Sequence, residues 1–382
     1  MNREVQKFIP RFIRFVFPYA AITIFTVAVF YKSGEIFWLN KTLQAQINDR
    51  RNFIYGAAYS NLPHYFKLAA VENSSPKILA LGSSRVLQFR SAFFKDSIPF
   101  YNTGGVFNRM EQLRAFLESL PEENLPQTII LGLDQWWFNS RYDSSVKTKN
   151  DLVYNRYSWF NNWSGMSAWQ NFYYDWWYGK ISWEKIWTEK NSEVEWFGIS
   201  ARNTGHGFRR DGSCYYGKLL ADSNSLKCLI YNAIENVNTD EGKLQWTNSI
   251  DKCAVNELRL FLRFCKKHKI NVTGFLPPAN SMVMSEMKLY PEHFPYFFKL
   301  NELMNRVFRE NGFRIYDFTN PENYGSNDKE MIDAFHASEK SSLKLYLQLL
   351  RKDTYLNQFS DSTFLKIKLD SAEGNFDVFG NY

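Results

Sequence analysis

The chain has 382 residues, of which 45% are hydrophobic, 18% are aromatic and 22% are charged. This composition excludes an intrinsically disordered protein, because disordered chains have few aromatic residues and a higher charge. Four cysteines exclude a disulfide-built miniprotein and a cysteine-rich zinc module. The net charge of +7 suits a glycan, lipid headgroups or nucleic acid, and therefore selects no partner.

The N-terminal segment has the composition of a membrane anchor. Residues 15–31 contain no charge, and their length is at the lower limit for a spanning helix. We expect an uncleaved transmembrane helix at 15–32. A cleaved signal peptide is the alternative, but the apolar run is long for one and has no clear cleavage site. A buried core helix is the other alternative.

The charges that flank this helix predict its orientation. Three arginines and one lysine precede it, with Glu4 as the one residue of opposite sign. Positive flanks stay in the cytoplasm, so we expect residues 1–14 there and the remaining chain in the periplasm or outside the cell. The sequence thus predicts a single-pass protein of the cell membrane, and an exported domain argues against nucleic acid as a partner.

The cysteines permit three pairings in an oxidising compartment; they are Cys214, Cys228, Cys253 and Cys265. If residues 255–269 form a helix, Cys253 and Cys265 lie about 18 Å apart along it, too far to bond to each other. Cys265 also falls on the apolar stripe of that helix, so a free core thiol is an equally good interpretation. The sequence leaves the pairing open.

Beyond a membrane-proximal linker at 33–76, apolar runs alternate with amphipathic segments. Strands are predicted at 77–81, 100–102, 128–131, 270–276 and 313–318, and helices at 84–94, 110–120, 255–269, 296–310 and 342–351. The alternation predicts an α/β fold, in two halves at 77–133 and 253–352, with helices on both faces of a parallel sheet. Ligands of such sheets bind beyond the carboxyl ends of the strands.

Residues 134–252 interrupt this alternation and are too many for a connection, so we expect an inserted lobe. The lobe holds eleven of the twelve tryptophans, at positions 136, 137, 159, 163, 169, 176, 177, 183, 187, 196 and 246. A platform for sugar rings, a belt on a membrane or membrane partner, and an aromatic core are the alternatives. Because a core accounts for most of the rings, we expect only a few to be exposed.

The C-terminal tail, residues 353–382, contains one alternating stretch. Leu365, Ile367 and Leu369 are separated by Lys366 and Lys368. A period of two predicts an edge strand.

Two of the predicted strand ends carry a motif with possible catalytic residues. Gly82-Ser83-Ser84-Arg85 follows the first strand of the sheet, where a small residue permits a sharp turn that presents a hydroxyl beside free backbone N–H groups. An ordinary helix cap is the alternative. Asp333-Ala334-Phe335-His336 precedes the last helix, and an Asp at this spacing can orient the imidazole of a general base. Both motifs project from the same edge of the sheet.

Together these motifs resemble the SGNH (GDSL-like) hydrolase superfamily, which opens with G-D-S after the first strand and ends with D-x-x-H before the last helix. The resemblance covers about residues 77–132 and 255–351 and implies an SGNH-hydrolase-like, flavodoxin-like sheet. It implies that Ser84 is the nucleophile, His336 the base and Asp333 the residue that orients it. The aspartate of the family's opening block is replaced here by Ser83.

The same resemblance implies an oxyanion hole formed by the backbone of Ser84 and by a glycine after the second strand, Gly104 or Gly105. The family's next block is G-x-N-D, and Gly132-Leu133-Asp134-Gln135 stands in its place. Asp134 thus replaces the usual Asn, and an ionised carboxylate cannot donate to an oxyanion. Gln135 or a backbone group is expected to make that contact.

Six further residues are candidate substrate contacts, namely Arg85, Asp134, Trp136, Trp137, Arg210 and Asp211. Arg85 either holds an anionic sugar or pairs with Asp134, and we favour the ion pair. The histidines outside the D-x-x-H motif have no metal-ligand spacing, and no phosphate-binding or dinucleotide-binding motif occurs. We therefore expect neither a metal nor a cofactor.

The chain resembles the DltD-like and alginate O-acetylation-like members of the superfamily in three features. These are an N-terminal anchor, an exported domain and a G-S-S opening. Those proteins work beside a polytopic membrane-bound O-acyltransferase and move acyl groups, most often acetyl, onto surface polymers. The resemblance implies acyl transfer through a Ser84 ester to a surface polysaccharide. An esterase that removes the same groups and a non-catalytic glycan-binding or assembly subunit are the alternatives. Asp134 favours the subunit, whereas Ser84, Asp333 and His336 favour an enzyme.

Overall fold

The computed structural model describes residues 3–36, 39–48, 52–59, 63–142, 166–188, 194–221 and 223–380. The chain forms two compact units. The first contains residues 1–62 and 156–208, and the second contains residues 63–155 and 209–382. These units divide the chain differently from the predicted linker at 33–76 and the predicted lobe at 134–252.

The described segments contain α-helices, strands and several short 3₁₀ turns. The strands are β1 (Asn52–Tyr55), β2 (Ile78–Leu81), β3 (Phe100–Asn102), β4 (Thr128–Gly132), β5 (Val194–Phe197), β6 (Gly207–Arg209), β7 (Cys214–Tyr215), β8 (Asn271–Leu276) and β9 (Arg314–Asp317). The first seven helices are α1 (Arg3–Ser33), α2 (Leu39–Asn48), α3 (Pro63–Ser74), α4 (Met110–Glu118), α5 (Met166–Trp177), α6 (Trp183–Trp187) and α7 (Ile199–Thr204). The remainder are α8 (Ser223–Thr239), α9 (Lys252–Lys267), α10 (Ser281–Lys288), α11 (Pro295–Phe298), α12 (Leu300–Glu310), α13 (Glu339–Lys352) and α14 (Ser362–Asp370).

Helix α1 is the single helix among the described residues that is long and apolar enough to cross a membrane. Its segment Phe8–Ser33 has a mean hydropathy of 1.9. The predicted apolar helix at 15–32 is therefore confirmed. An N-terminal signal sequence has the same length and hydropathy, so retention of the helix and its orientation stay predictions.

The first unit joins segments that are far apart in the sequence. Strand β1 pairs in parallel with β5, with Asn52 opposite Val194. The carboxylate of Glu35 is buried and accepts hydrogen bonds from the N–H groups of Ala58 (2.9 Å) and Ile199 (3.0 Å). Within the predicted linker at 33–76, strand β1 and the carboxylate of Glu35 thus each have a partner beyond residue 190.

The second unit contains a five-stranded parallel sheet in the order β3-β2-β4-β8-β9. The predicted α/β fold with a parallel sheet is confirmed. The chain winds first in one direction, from β2 to β3, and then in the other, from β4 through β8 to β9. The direction reverses between β2 and β4, and the crevice at such a point is where open parallel sheets bind ligands.

Helices cover both faces of this sheet. Helix α9 packs against α4 and β8 and buries Leu258 and Phe261. Helix α13 buries Leu343 and Tyr346 in a core cluster that includes Ala80 of β2. Since neighbouring residues of a strand point to opposite faces, the sheet has a continuous apolar layer on each side.

The segment 84–94 does not form the predicted helix. It contains two 3₁₀ turns, Ser84–Val86 and Ser91–Phe93, separated by Arg90 in an extended conformation. The side-chain amide of Asn102 donates to the carbonyl oxygens of Val86 (2.7 Å) and Phe89 (2.9 Å). The Asn102 side chain therefore bonds to carbonyl groups that would accept backbone N–H donors in a continuous helix.

The predicted edge strand in the tail is also wrong, because Leu365 to Leu369 lie on helix α14. The carboxylate of Asp361 caps this helix by accepting from the N–H groups of Thr363 and Phe364 (both 3.0 Å). Leu365 is buried and Leu369 packs on the same core, whereas Ile367 between them is 61% exposed. Leu365 and Leu369 are four residues apart, so the alternating pattern also places them on one face of a helix.

All four cysteines are free thiols. Cys214 and Cys265 are buried, and Cys228 and Cys253 are exposed. The interpretation of Cys265 as a free core thiol is therefore confirmed.

Candidate active site

Ser84 stands two residues beyond Gly82, at the carboxyl end of β2. A Cβ atom at Gly82 would lie 2.8 Å from the carbonyl oxygen of Gly132 and 2.9 Å from Val86, so a larger residue would push the neighbouring strand end away. Ser83 then caps the 3₁₀ turn, because its Oγ accepts a hydrogen bond from the N–H of Arg85 at 3.2 Å. The Ser84 hydroxyl is thereby presented at the partly exposed edge of the sheet.

Asp333 and His336 form a local hydrogen-bonded turn. Oδ1 of Asp333 accepts from the N–H groups of Phe335 (2.8 Å) and His336 (2.9 Å). Oδ2 lies 2.7 Å from Nδ1 of the His336 ring. The carboxylate thus holds both the backbone and the imidazole of its own turn.

The imidazole of His336 joins this turn to Ser84, since its Nε2 lies 2.7 Å from Ser84 Oγ. A carboxylate can only accept hydrogen bonds, so Nδ1 carries the proton that faces Asp333. In a neutral ring Nε2 is then an acceptor, and the Ser84 hydroxyl donates to it. The 2.7 Å separation is within the range required for direct proton transfer from a nucleophile to a general base.

The pKa of Asp333 keeps this carboxyl ionised. Burial raises its pKa, but the imidazole of His336 and the two backbone N–H donors outweigh burial and lower the pKa to about 2. A permanent negative charge beside Nδ1 fixes the ring tautomer and stabilises the imidazolium that forms when the ring takes a proton.

Two backbone N–H groups near the nucleophile make no hydrogen bond to any described residue, those of Ser84 and Gly105. The N–H of Gly104 instead donates to Asn102 Oδ1 at 2.8 Å. The prediction that Gly104 donates to an oxyanion is therefore wrong, because the short side chain of Asn102 occupies its N–H group. Ser84 and Gly105 keep theirs available.

A buried lysine that the sequence reasoning missed fixes the orientation of Gly105. Nζ of Lys67 donates to the carbonyl oxygens of Gly104 (2.6 Å) and Gly212 (2.8 Å). In a trans peptide the C=O and the following N–H point in opposite directions. Lys67 draws the Gly104 carbonyl inward, so the N–H of the exposed Gly105 is directed away from Lys67.

Lys67 is fully buried on α3, where burial lowers its pKa to about 7 against the opposing effects of Cys214 and Asp211. The one signal in the sequence was a single charge inside the apolar run 66–71. That signal does not reveal the partners, because Gly104 and Gly212 are brought to it only by the fold.

Arg85 is a buried structural residue, and the prediction that it contacts substrate is wrong. Its Nε donates to the carbonyl oxygen of Phe335 at 3.1 Å. Nη1 donates to Gln135 Oε1 at 2.6 Å, and Nη2 donates to the carbonyl oxygens of Pro277 (2.8 Å) and Pro278 (2.5 Å). One guanidinium therefore ties together the ends of β2, β4 and β8 and the turn that precedes His336.

The side chains of Gln135 and Asp134 likewise contact other groups of the protein. The Gln135 amide donates to the carbonyl oxygen of Pro277 (3.0 Å) and to Thr319 Oγ1 (3.1 Å), so it is not available to an oxyanion as predicted. Asp134 is completely buried, with Oδ1 3.7 Å from Nη1 of Arg85. The favoured ion pair is confirmed, and a substrate contact at Asp134 is excluded by its burial. Burial raises the pKa of Asp134, while Arg85 opposes that change.

Trp136 and Trp137 are not exposed sugar platforms, since only 2% and 4% of their surfaces are accessible. The ring of Trp136 packs edge to face on Phe335, with centroids 5.2 Å apart, and lies 4.7 Å from the Arg85 guanidinium. Trp136 therefore packs against the Asp333–His336 turn through Phe335. The prediction that these two rings contact substrate is wrong, because the chain turns them inward after β4.

The exposed rings of the predicted lobe are few, as expected. Among its described tryptophans, Trp176, Trp177 and Trp187 are exposed. Trp159 and Trp163 lie outside the described residues.

The turn between β6 and β7 contains the last two candidate contacts. Oδ1 of Asp211 accepts from the N–H of Ser213 (2.9 Å), and Oδ2 accepts from the N–H of Ser91 (2.7 Å). Asp211 thus shapes its own turn and does not have a free carboxylate for substrate. Arg210 is half-buried, and its contact with substrate stays a prediction.

Comparison with known proteins gives no match to a protein-family model and none to a curated protein. Among the described residues, no group of three or more metal-ligating side chains occurs. The residues that the structure does bring together are Ser84, His336 and Asp333, with unpaired N–H groups at Ser84 and Gly105. This arrangement can activate a hydroxyl nucleophile and can stabilise a developing oxyanion.

Proposed function

We propose that the protein is a membrane-anchored, exported O-acyltransferase of the SGNH type that acylates a cell-surface polysaccharide. The observation that carries this proposal is the hydrogen-bonded chain from Ser84 Oγ through the His336 ring to the Asp333 carboxylate. The strand order supports the SGNH resemblance, because Ser84 follows one strand at the reversal point of the sheet, where ligands bind.

The first half-reaction forms an ester on Ser84. His336 Nε2 takes the hydroxyl proton while Oγ attacks the carbonyl carbon of an acyl donor. The N–H groups of Ser84 and Gly105 donate hydrogen bonds to the carbonyl oxygen and stabilise the negative charge that develops on it. The leaving group departs with the proton from His336, and the acyl group remains on Ser84.

The second half-reaction passes the acyl group to a sugar. His336 removes a proton from the accepting hydroxyl, whose oxygen attacks the ester carbonyl. Ser84 Oγ leaves and recovers the proton from His336. The products are an acylated sugar and the free serine, so no further reactant is needed.

The apolar helix α1 supports a role at a membrane. In the related branch, a polytopic membrane-bound O-acyltransferase supplies the acyl group, commonly acetyl. We propose the same partner and an acetyl group here, with a surface polysaccharide as acceptor. Water as acceptor would make the same residues an esterase.

The decisive experiment uses the purified full-length chain in detergent with p-nitrophenyl acetate. Wild type, Ser84→Ala and the control Ser91→Ala are compared, since Ser91 is exposed and is not part of the hydrogen-bonded chain from Ser84 to Asp333. The intact mass of the protein and the release of p-nitrophenol from the ester are followed together. We expect one acetyl adduct or turnover in wild type and Ser91→Ala, and neither in Ser84→Ala.

Acceptor oligosaccharides then separate the two enzymatic functions. Acetylated sugar in place of free acetate identifies a transferase, and free acetate alone identifies an esterase. If wild type forms no acetyl adduct and cleaves no ester, even with the membrane-bound acyltransferase present, the enzymatic proposal is rejected in favour of a glycan-binding subunit.

A further inference from the structure

Helix α1 divides into an exposed part and a packed part. Between Phe8 and Ile24 nearly all side chains are exposed, and Phe15, for example, is 68% exposed. This stretch is roughly 25 Å long at 1.5 Å per residue, close to the thickness of a bilayer's hydrocarbon core. Arg11 and Arg14 lie in its first half, from where their long side chains can extend to the headgroups. About one and a half turns beyond Ile24, Val29 and Phe30 are completely buried. The end of the exposed stretch therefore marks where a bilayer would end and protein packing begins, about two turns before the end of the predicted span 15–32.

Helix α5 lies antiparallel against the packed part of α1. Its Phe172 contacts Phe30, with ring centroids 5.2 Å apart, and its Trp176 contacts Phe25 at 5.3 Å. As residue numbers rise along α5, the numbers of their partners on α1 fall. The C-terminal end of α5 therefore approaches the exposed stretch that ends at Ile24.

This end of α5 carries an exposed aromatic patch. Tyr174 is 55% exposed, Trp176 41%, Trp177 86% and Tyr178 61%, and we call these four residues the aromatic turn. The ammonium group of Lys180 lies 4.9 Å from the Tyr174 ring. Contiguous exposed apolar patches are uncommon on soluble surfaces, whereas Trp and Tyr concentrate at membrane–water interfaces because their rings are amphipathic.

We propose that the aromatic turn lies in the headgroup region of the bilayer that α1 crosses, where it fixes the first unit against the membrane surface. Lipid is the occupant because Trp176 of the aromatic turn contacts Phe25, which is next to Ile24 at the end of the exposed surface of α1. The aromatic turn and α1 thus form one apolar surface that enters the bilayer to two depths. The helix lies in the hydrocarbon core, and the rings lie at the interface with water. This inference does not depend on the proposed catalytic function.

Collision measurements on a nitroxide attached to full-length protein in vesicles test the proposal. The vesicles contain phosphatidylethanolamine and phosphatidylglycerol. A Cys228→Ser/Cys253→Ser background removes the exposed thiols, and the buried ones stay unlabelled. Trp177→Cys carries the probe. Molecular oxygen concentrates in lipid, whereas a charged nickel chelate stays in water, so the ratio of their collision rates reports depth.

Two reference positions bracket the expected value. Phe15→Cys reports the lipid core, and Tyr231→Cys, on α8 and 61% exposed, reports water. We expect the ratio at position 177 to be several-fold above that at 231 and below that at 15. Tyr178→Cys provides a second probe of the same surface and is expected to give the same ranking if Trp177→Cys fails to fold.

Three results would overturn the proposal. The first is a ratio at 177 and 178 equal to that at 231, which places the rings in water. The second is a spectrum at 177 broadened by a neighbouring nitroxide, which shows that a second copy of the chain covers the patch. The third is access of the nickel chelate to position 15, which shows that α1 does not cross the bilayer.

Discussion

The Nε atom of Arg85 donates a hydrogen bond to the carbonyl oxygen of Phe335, 3.1 Å away. Arg85 follows Ser84 directly, and Phe335 directly precedes His336. One contact therefore joins the backbone beside the hydroxyl to the backbone beside the imidazole. The 2.7 Å separation of Ser84 Oγ and His336 Nε2 depends on this buried guanidinium as well as on the two turns.

Arg85→Lys is expected to destabilise the protein. A lysine presents its three donors at one atom and cannot reach Phe335, Gln135 and the two proline carbonyls together. The change also weakens the buried ion pair with Asp134, so we expect a loss of about 3–5 kcal/mol in unfolding free energy, measured by urea denaturation. Arg351→Lys, at an exposed position, is the control. Equal stability of the two variants would contradict the structural role of Arg85.

Asp333→Asn is expected to abolish most of the proposed acyl transfer while the fold survives. The amide can donate to Nδ1, which moves the ring proton to Nε2 and removes the acceptor for the Ser84 hydroxyl. The rate of ester release should fall by a factor on the order of 10³–10⁴, with an unchanged circular dichroism spectrum. Asp96→Asn, at an exposed position, should retain the wild-type rate. Full activity of Asp333→Asn would remove Asp333 from the mechanism.

Lys67 is expected to make stability rise with pH. The folded protein releases the Lys67 proton near pH 7, whereas the unfolded chain holds it to about pH 10.4. Between these values the unfolded state binds more protons, so Lys67 contributes a slope of up to about 1.4 kcal/mol per pH unit. Lys67→Met should lose this contribution between pH 7 and 10. Lys77→Met, exposed beside β2, should keep it.

The same Lys67→Met variant tests the orientation of Gly105. Without the ammonium group the Gly104 carbonyl loses a partner, and the peptide that carries the Gly105 N–H can rotate. We expect kcat for ester release to fall while KM changes little, because an oxyanion contact acts in the transition state. A fall confined to KM would contradict the oxyanion role.

The cysteines are expected to react in two classes. Cys228 and Cys253 are exposed and should be alkylated by iodoacetamide in the native protein, whereas Cys214 and Cys265 should react only after denaturation. Burial raises the pKa of Cys214 to about 12, which further suppresses its thiolate. Peptide mass spectrometry gives the assignment. Protection of the exposed pair before reduction would show a disulfide that the structure lacks.

The sequence by itself determined the sheet and the three side chains that meet in the candidate site. Runs such as Ile78–Leu81 are apolar and bounded by glycine or proline, so their local composition is sufficient to predict buried strands. Ser84, Asp333 and His336 were identified because each stands at a strand end or on one turn. The Asp333–His336 contact spans only three residues, so local geometry alone can form it.

Only the tertiary structure decided which polar groups near Ser84 remain unpaired. Gly104 and Gln135 have suitable donors, but Asn102 and the Pro277 carbonyl occupy them from other strand ends. Lys67, which directs the Gly105 N–H, lies on a helix that the sequence assigned to a linker. A donor is available only if no other segment satisfies it first, and that depends on contacts between residues distant in sequence.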